Sequence, residues 1–571
     1  MKASVIIRAR ILSAFFIVVA LILGARLYFV QIINGEEYAA HALGQYVEAT
    51  SYRAEDRGKI FFSDKDGGMV TAALMESGWR IAILPGDIND PDVTFATLQR
   101  IVVLDEARYR ASAAKKDDPY EEIAFRVSNE DAALVRAAKL SGVLLVEDKW
   151  RVYPAGSLAA HVIGFWGFRG NLRAGTYGLE QYFDDTLSRR ENFLYVNPFA
   201  ELFTNVGALL TREPTVFAGD LITSIEPTVE ARLEYILGTI VEKYDAKEAG
   251  GIVMDPRTGE LIALAALPTF DPNTYNVVEN QAVFSNPITD RVYEMGSIMK
   301  PLTLAAGIDT GAVKPETTYN DRGFIMKSGL KISNFDGVGR GVVSMQEVLN
   351  QSLNTGAPFV VDQMGHETFA KYVRAFGLGA ETGIDLPNER GGLVGSLENG
   401  VEVDYASASF GQGIATTPIA MVRALASLSN GGMLPEPHVV RGIRQKSGVV
   451  RKVSREPTER VISKETAETV TRMLVEVFDT ALLEGALKQE HYSFAAKTGT
   501  AQIANPAGGG YYTDRYLHAF FGYFPAYEPR FIIFLYALEP IGERYASRTL
   551  ARPFLEMSKF LINYYEIPPD R

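Results

Sequence analysis

The longest apolar run in this chain comes first. From Ile11 to Ile33 only Arg26 carries a charge. As a helix this stretch would be about 34 Å long, enough to cross the roughly 30 Å hydrocarbon core of a bilayer. Lys2, Arg8 and Arg10 precede it, and Glu36 and Glu37 follow it. That charge bias predicts a short cytoplasmic tail over 1–10, a membrane anchor over 11–33, and everything later on the far side. A cleaved signal peptide is the competing reading, but no good small-residue cleavage site follows the apolar core.

Beyond the anchor the pattern shortens. Between about Glu36 and Lys243, brief apolar runs alternate with turn signals. Lys59–Phe62, Trp79–Leu84 and Gly142–Val146 read as strands, with a turn at Asp66-Gly67. Thr94–Ala113 reads as one helix, ending near the charged loop Lys115–Pro119. Val229, Leu233, Ile236, Leu237 and Ile240 recur at helical spacing and predict a helix over Thr228–Tyr244. We expect an extended α+β spacer over 36–243, without a catalytic cluster.

A second domain is expected over 247–571. Gly250–Asp255 and Glu260–Ala266 flank Pro256–Gly259 as a hairpin. Glu465–Phe478 reads as a helix, Lys497–Thr500 enters a strand, and Ala519–Pro525 and Arg530–Ala537 read as further strands. Arg552–Tyr565 reads as a terminal helix after Pro553. Hairpins closed by a helix predict an α+β domain, an antiparallel sheet covered by helices.

Composition narrows the chemistry. A chain of 571 residues, 47% hydrophobic, has room for two or more domains. Its net charge of −12 provides no basic footprint for nucleic acid. The absence of cysteine excludes disulfides, thiolate zinc sites and a cysteine nucleophile. The six histidines show no metal-ligand spacing, and His518 reads as structural.

Ser297 and Lys300 lie three residues apart at the mouth of the apolar run Leu302–Ile308. On a helix that spacing sets hydroxyl and amine on one face, at the positive end of the dipole. A serine needs an adjacent base to become a nucleophile, and a lysine serves if burial or nearby cations depress its pKa. Alone the pair also fits a helix cap with a solvated lysine. Ser352-Leu353-Asn354 and Lys497-Thr498-Gly499-Thr500 follow in order. Ser-x-x-Lys, Ser-x-Asn and Lys-Thr-Gly together are the mark of penicillin-binding proteins and serine β-lactamases.

On these residues the chain resembles the class B penicillin-binding proteins, monofunctional D,D-transpeptidases of peptidoglycan synthesis. The likeness extends to Arg57–Ile60, Asp64, Asp66-Gly67, Arg151–Pro154, Ala160–Gly164 and Gly178–Glu180 in the spacer. It continues through Pro268–Asn273, Ser409–Ile414 and Lys497–Gln502. Leu517–Ala526 looks more like the septal, FtsI-type branch than the elongation branch.

The resemblance implies a bitopic plasma-membrane protein with an extended pedestal and an extracytoplasmic transpeptidase domain. It implies Ser297 as nucleophile toward D-Ala-D-Ala stem peptides and toward β-lactams, with Lys300 taking its proton. Ser352 would shuttle protons, Asn354 would hold Lys300, and Lys497 would supply charge. Thr498 and Thr500 would bind the substrate carboxylate, with Gly499 between them. The N–H groups of Ser297 and Thr500 would form an oxyanion hole. No metal or organic cofactor is implied, and a SEDS-family glycosyltransferase is the implied partner. Three alternatives share the motifs: a β-lactamase with Glu389 as candidate hydrolytic carboxylate, a D,D-carboxypeptidase, and a non-enzymatic membrane-anchored sensor or scaffold.

Overall fold

A computed structural model describes residues 56–571 except 171, 189–217, 399, 446, 454 and 456–458, and adds positions 18, 19, 21 and 23. The anchor expected over Ile11–Ile33 lies outside the described residues apart from those four positions. Among the described residues no helix is long and apolar enough to cross a membrane.

The chain forms two compact units. One includes Met75–Trp150; the other takes Arg57–Leu74 together with Arg151–Arg571. In the first unit, Trp79–Ile83 pairs antiparallel with Glu121–Val127. Ile81, Ile83, Phe95, Leu98, Tyr109, Ile123 and Val135 form its core. The single helix expected over Thr94–Ala113 is two helices, Pro91–Leu98 and Glu106–Ala113. Each has its own aspartate cap: Asp90 accepts from Asp92 and Val93, and Asp105 accepts from the Arg108 N–H. The β-branched run Ile101–Val103 between them disfavours helix, and a second cap restarts it.

In the larger unit, the spacer residues quoted above converge on one buried carboxylate. Glu180 is fully buried and accepts from Arg57 Nε at 2.6 Å and Arg151 Nε at 2.7 Å. The two guanidiniums hold its carboxyl below the usual range against the opposing cost of burial. Asn273 grips the Tyr153 backbone at both N–H and carbonyl, at 3.0 and 2.9 Å.

The centre of this unit is a five-stranded antiparallel sheet. Its strands are β1 (Glu248–Met254), β2 (Leu261–Leu267), β3 (Ala495–Ala504), β4 (Tyr511–Phe524) and β5 (Phe531–Leu538). Their spatial order is β3-β4-β5-β1-β2. Phe531–Ala537 is buried throughout. Ile533 and Leu535 face one layer, with helices α1 (Pro227–Tyr244) and α5 (Ala546–Tyr564). Phe534 and Tyr536 face the other, which holds Leu302 and Leu304 of α2 (Lys300–Asp309), Val348 and Leu349 of α3 (Met345–Asn350) and Val470 and Leu474 of α4 (Lys464–Glu476). Helices on both faces remove the alternation of a half-exposed sheet and leave a continuous apolar run.

The expected terminal helix begins at Ala546, ahead of Pro553, which sits inside it. Thr549, Leu550, Phe554, Met557, Leu561 and Ile562 are buried at helical spacing across the proline. Packing of that stripe outweighs the one hydrogen bond the proline removes.

Helix α1 carries two inward carboxyls one turn apart. Glu230 is fully buried and accepts from the Leu264 N–H at 2.8 Å, while its other oxygen has no partner. Glu234 accepts from the Ala159 N–H at 2.9 Å. Burial raises Glu230 well above the carboxylate range, helped by the charge of Glu234, and lifts Glu234 to about 6. Both groups bind protons more tightly folded than unfolded, so their contribution is fully present at low pH and is lost as pH rises through the folded values. Stability to urea should therefore fall as pH rises through about 6, and Glu230→Gln should flatten that fall; an unchanged slope in the variant would contradict it.

Candidate active site

Ser297 sits in a tight turn, Gly296–Met299, that runs directly into α2. N–H groups of a first turn have no intrahelical partner, so Pro301 costs nothing there. Gly296 opens the turn at φ +60, and a Cβ at this position would meet the Thr500 carbonyl at 3.0 Å. From the other side, a Cβ at Gly499 would lie 2.6 Å from the Met295 carbonyl. Two glycines thus let the Ser297 turn and β3 approach backbone to backbone.

Lys300 is completely buried. Its Nζ lies 3.0 Å from Ser297 Oγ, 2.9 Å from Asn354 Oδ1, 2.5 Å from the Ser352 carbonyl and 3.3 Å from Ser352 Oγ. Burial drives its pKa well below the ordinary lysine value, and the charge of Lys497 lowers it further. A neutral amine here can give its two protons to the Ser352 carbonyl and Asn354 and turn its lone pair to the Ser297 hydroxyl.

Lys497 comes from β3. Its Nζ donates to Ser352 Oγ at 2.9 Å and to the Thr498 carbonyl at 3.2 Å. Burial brings its pKa down to about 7. The Ser352 hydroxyl therefore lies between two amines. Ser352 follows α3 in the left-handed region, at φ +55. Such a position is usually glycine, and a serine held there is strained. Leu353 N–H bonds the Val348 carbonyl at 3.0 Å and closes the turn.

The structure brings Ser297, Lys300, Ser352, Asn354 and Lys497 into one continuous set of contacts. Gly499 lies against the Ser297 turn. Thr498 joins through its carbonyl. Thr500 Oγ1 accepts from the Ala546 N–H at 3.1 Å, which leaves its own proton free to donate. Glu389 points elsewhere: its carboxylate accepts from Thr382 N at 2.7 Å, Thr382 Oγ1 at 2.6 Å and Gly383 N at 2.9 Å. His518 is buried against Thr549 Oγ1 and the Arg544 carbonyl, and burial lowers its pKa to about 4, so it is a neutral structural residue.

Sequence reasoning missed the polar groups behind the Ser352–Asn354 turn, chiefly Asp321, Asn334 and Thr355. It also missed Glu294, which accepts from the Gly413 N–H at 3.1 Å and from Tyr511 OH at 3.2 Å. Its place three residues before Ser297 was the available signal.

Comparison with known proteins agrees with this geometry. Residues 249–556 match the family model for the penicillin-binding protein transpeptidase domain, and 52–197 match that for the penicillin-binding protein dimerisation domain. The chain belongs to the class B penicillin-binding proteins. Among its relatives is stage V sporulation protein D of Bacillus subtilis, 29% identical over 97% of this chain and 85% of that one. Peptidoglycan D,D-transpeptidase FtsI of Escherichia coli is 26% identical over 82% and 76%. Penicillin binding protein 3 of Mycobacterium tuberculosis, solved with aztreonam, shares the fold at a TM-score of 0.67, with 23% identity, 91% of this chain and 98% of that chain covered.

As the charge of Lys497 disappears above about 7, a carboxylate ligand should bind progressively less well, by up to about tenfold per pH unit. The measurement is the Kd of a penicillin for Ser297→Ala, which cannot be acylated. Lys497→Arg keeps its charge at all accessible pH and should remove the dependence; a pH-independent Kd in the parent would refute the assignment.

Proposed function

We propose that this penicillin-binding protein is a serine D,D-transpeptidase that cross-links peptidoglycan stem peptides through an acyl-enzyme on Ser297. The observation that carries the reading is the fully buried amine of Lys300, 3.0 Å from Ser297 Oγ. Ser297 Oγ attacks the penultimate D-Ala carbonyl of the donor as its proton passes to Lys300 Nζ. The N–H groups of Ser297 and Thr500 hold the developing oxyanion; one such donor is typically worth about 3–4 kcal/mol. The C–N bond breaks, the proton held on Lys300 passes through Ser352 Oγ to the leaving D-Ala amine, and an ester remains on Ser297. An acceptor amine then attacks that ester, its proton passes through Ser352 to Lys300, and Lys300 returns it to Ser297 Oγ as the ester C–O bond breaks. Lys497 with the Thr498 and Thr500 hydroxyls binds the terminal carboxylate, and Asn354 holds Lys300 and the substrate amide.

A β-lactam enters the same steps, but its leaving nitrogen stays tethered after ring opening and blocks the acceptor. With the Glu389 carboxylate held by Thr382 and Gly383, it is not poised as a hydrolytic base, and the adduct should persist. Intact mass and peptide mapping after mixing with a labelled penicillin should find one lasting adduct, at Ser297, absent from Lys300→Ala. Rapid turnover without an adduct would favour a β-lactamase, and an adduct elsewhere would overturn the site.

The reading extends to placement. Ile11–Ile33 anchors the chain in the plasma membrane, with the catalytic domain outside the cytoplasm, and the enzyme works in septal synthesis beside a SEDS-family glycosyltransferase. The Lys2/Arg8/Arg10 bias and the Leu517–Ala526 stretch support this. A reporter that fluoresces only after export, fused after Arg571, should light the membrane at division sites. A dark fusion with cytoplasmic activity would refute the anchor, and an even side-wall signal would refute the septal role.

A further inference from the structure

Behind the Ser352–Asn354 turn lies a closed cluster of polar side chains outside the proposed transfer steps. Asp321, Asn334 and Thr355 are 2%, 4% and 1% exposed. Asn334 Nδ2 donates to both Asp321 oxygens, at 3.1 and 2.9 Å, and to the Val338 carbonyl at 3.1 Å. Asp321 accepts further bonds from Thr355 Oγ1 at 2.8 Å, Gly323 N at 2.9 Å and Arg340 N at 3.0 Å. A buried carboxylate is costly unless its oxygens are filled by donors, and here four residues fill them. The Arg340 guanidinium turns away to Asp336 and Gln351.

Thr355 Oγ1 also meets the Tyr319 hydroxyl at 2.9 Å, and the other side of the cluster reaches the Asn354 turn. Asn334 Oδ1, its amide oriented by Asp321, accepts from the Asn354 N–H at 2.9 Å and the Thr355 N–H at 3.3 Å. The neighbouring Ser333 carbonyl accepts from Asn354 Nδ2 at 3.0 Å. The peptide segment Ser333-Asn334 therefore clasps Asn354 at its backbone and at its amide nitrogen. With Nδ2 engaged, the remaining atom, Oδ1, is the one that meets Lys300 Nζ at 2.9 Å. A flipped amide would set an NH2 donor against an amine donor and leave Ser333 without its bond. The same clasp adjoins Ser352, whose left-handed backbone persists only where its surroundings over-determine it.

We propose that Asn334, anchored by Asp321, is a positioning residue for acyl transfer. It fixes the orientation of the Asn354 amide and the Ser352 turn against Lys300, and so sets the ionisation and aim of the general base. This rests on reading Lys300 as that base.

The test uses the purified full chain. Asn334→Ala should slow acylation by a labelled penicillin by about 10²-fold, the scale of a misplaced catalytic group, and should shift the midpoint of its pH profile. Thr355→Val removes one donor to Asp321 and the contact with the Tyr319 hydroxyl, with little change of shape; it should slow acylation several-fold and serves if Asn334→Ala fails to fold. Asp321→Asn sets two amides face to face and Asn334→Asp two carboxylates. Each should slow acylation, and the double exchange, which restores a donor–acceptor pair, should recover part of the rate. Lys300 titration, followed by NMR of isotope-labelled lysine in Ser297→Ala, should move when Asn334→Ala is added. Folded variants with wild-type acylation rate and pH profile, whatever their Tm, would overturn the proposal. So would an unmoved Lys300 titration, even if wild type formed no adduct; a missing wild-type adduct counts against the function reading instead.

Discussion

Two lysine amines are held out of water on either side of a single serine hydroxyl, and the rest of the larger unit is arranged to make that possible. An isolated buried ammonium is expensive, and the usual response is loss of its proton. At Lys300 that response is useful, because a neutral amine beside Ser297 is a base. Lys497 adds to the effect: each positive charge near Lys300 makes protonation harder. The desolvation comes from packing. Lys300 opens α2, whose next residues, Pro301–Gly307, are all buried, and Lys497 lies in β3 under a covered sheet.

The strands and helices hold these groups by unlike means. β3 supplies Lys497 and Gly499 through a regular antiparallel register, Lys497 opposite Phe521 and Thr500 opposite His518. The Ser297 turn meets β3 through two missing Cβ atoms, at Gly296 and Gly499. The Ser352 turn is less regular. It ends a six-residue helix, takes a strained backbone angle and depends on hydrogen bonds from side chains distant in sequence. Regular elements tolerate neighbouring changes because their bonds are backbone bonds; the Ser352–Asn354 turn depends on named side chains.

Much of this was legible beforehand. Val229, Leu233, Ile236, Leu237 and Ile240 predict α1 because one apolar stripe faces one sheet. The strands around Phe520 and Phe534 are legible as apolar runs because both faces are covered. The three motifs are legible because the chemistry needs those atoms at short spacing within each motif. Where the structure departs from the sequence pattern, a local cue meets a stronger tertiary term. Pro553 reads as a helix start, yet the buried stripe through Thr549 and Phe554 carries the helix across it. Thr94–Ala113 reads as one helix because capping aspartates count for little in a periodicity argument, yet Asp105 begins a second one.

What the sequence determined by itself is the local content: the apolar periods, the turn glycines, and the three short motifs that bring hydroxyls, amines and an amide. What only the tertiary structure decided is their state. Whether Lys300 is a solvated cation or a buried base depends on distance to Lys497 and on exclusion of water, and neither is a property of a three-residue spacing. The partners of Asn354 lie about twenty residues upstream, in Ser333 and Asn334, at no motif spacing, because a hydrogen bond is set by position in space and leaves no period along the chain.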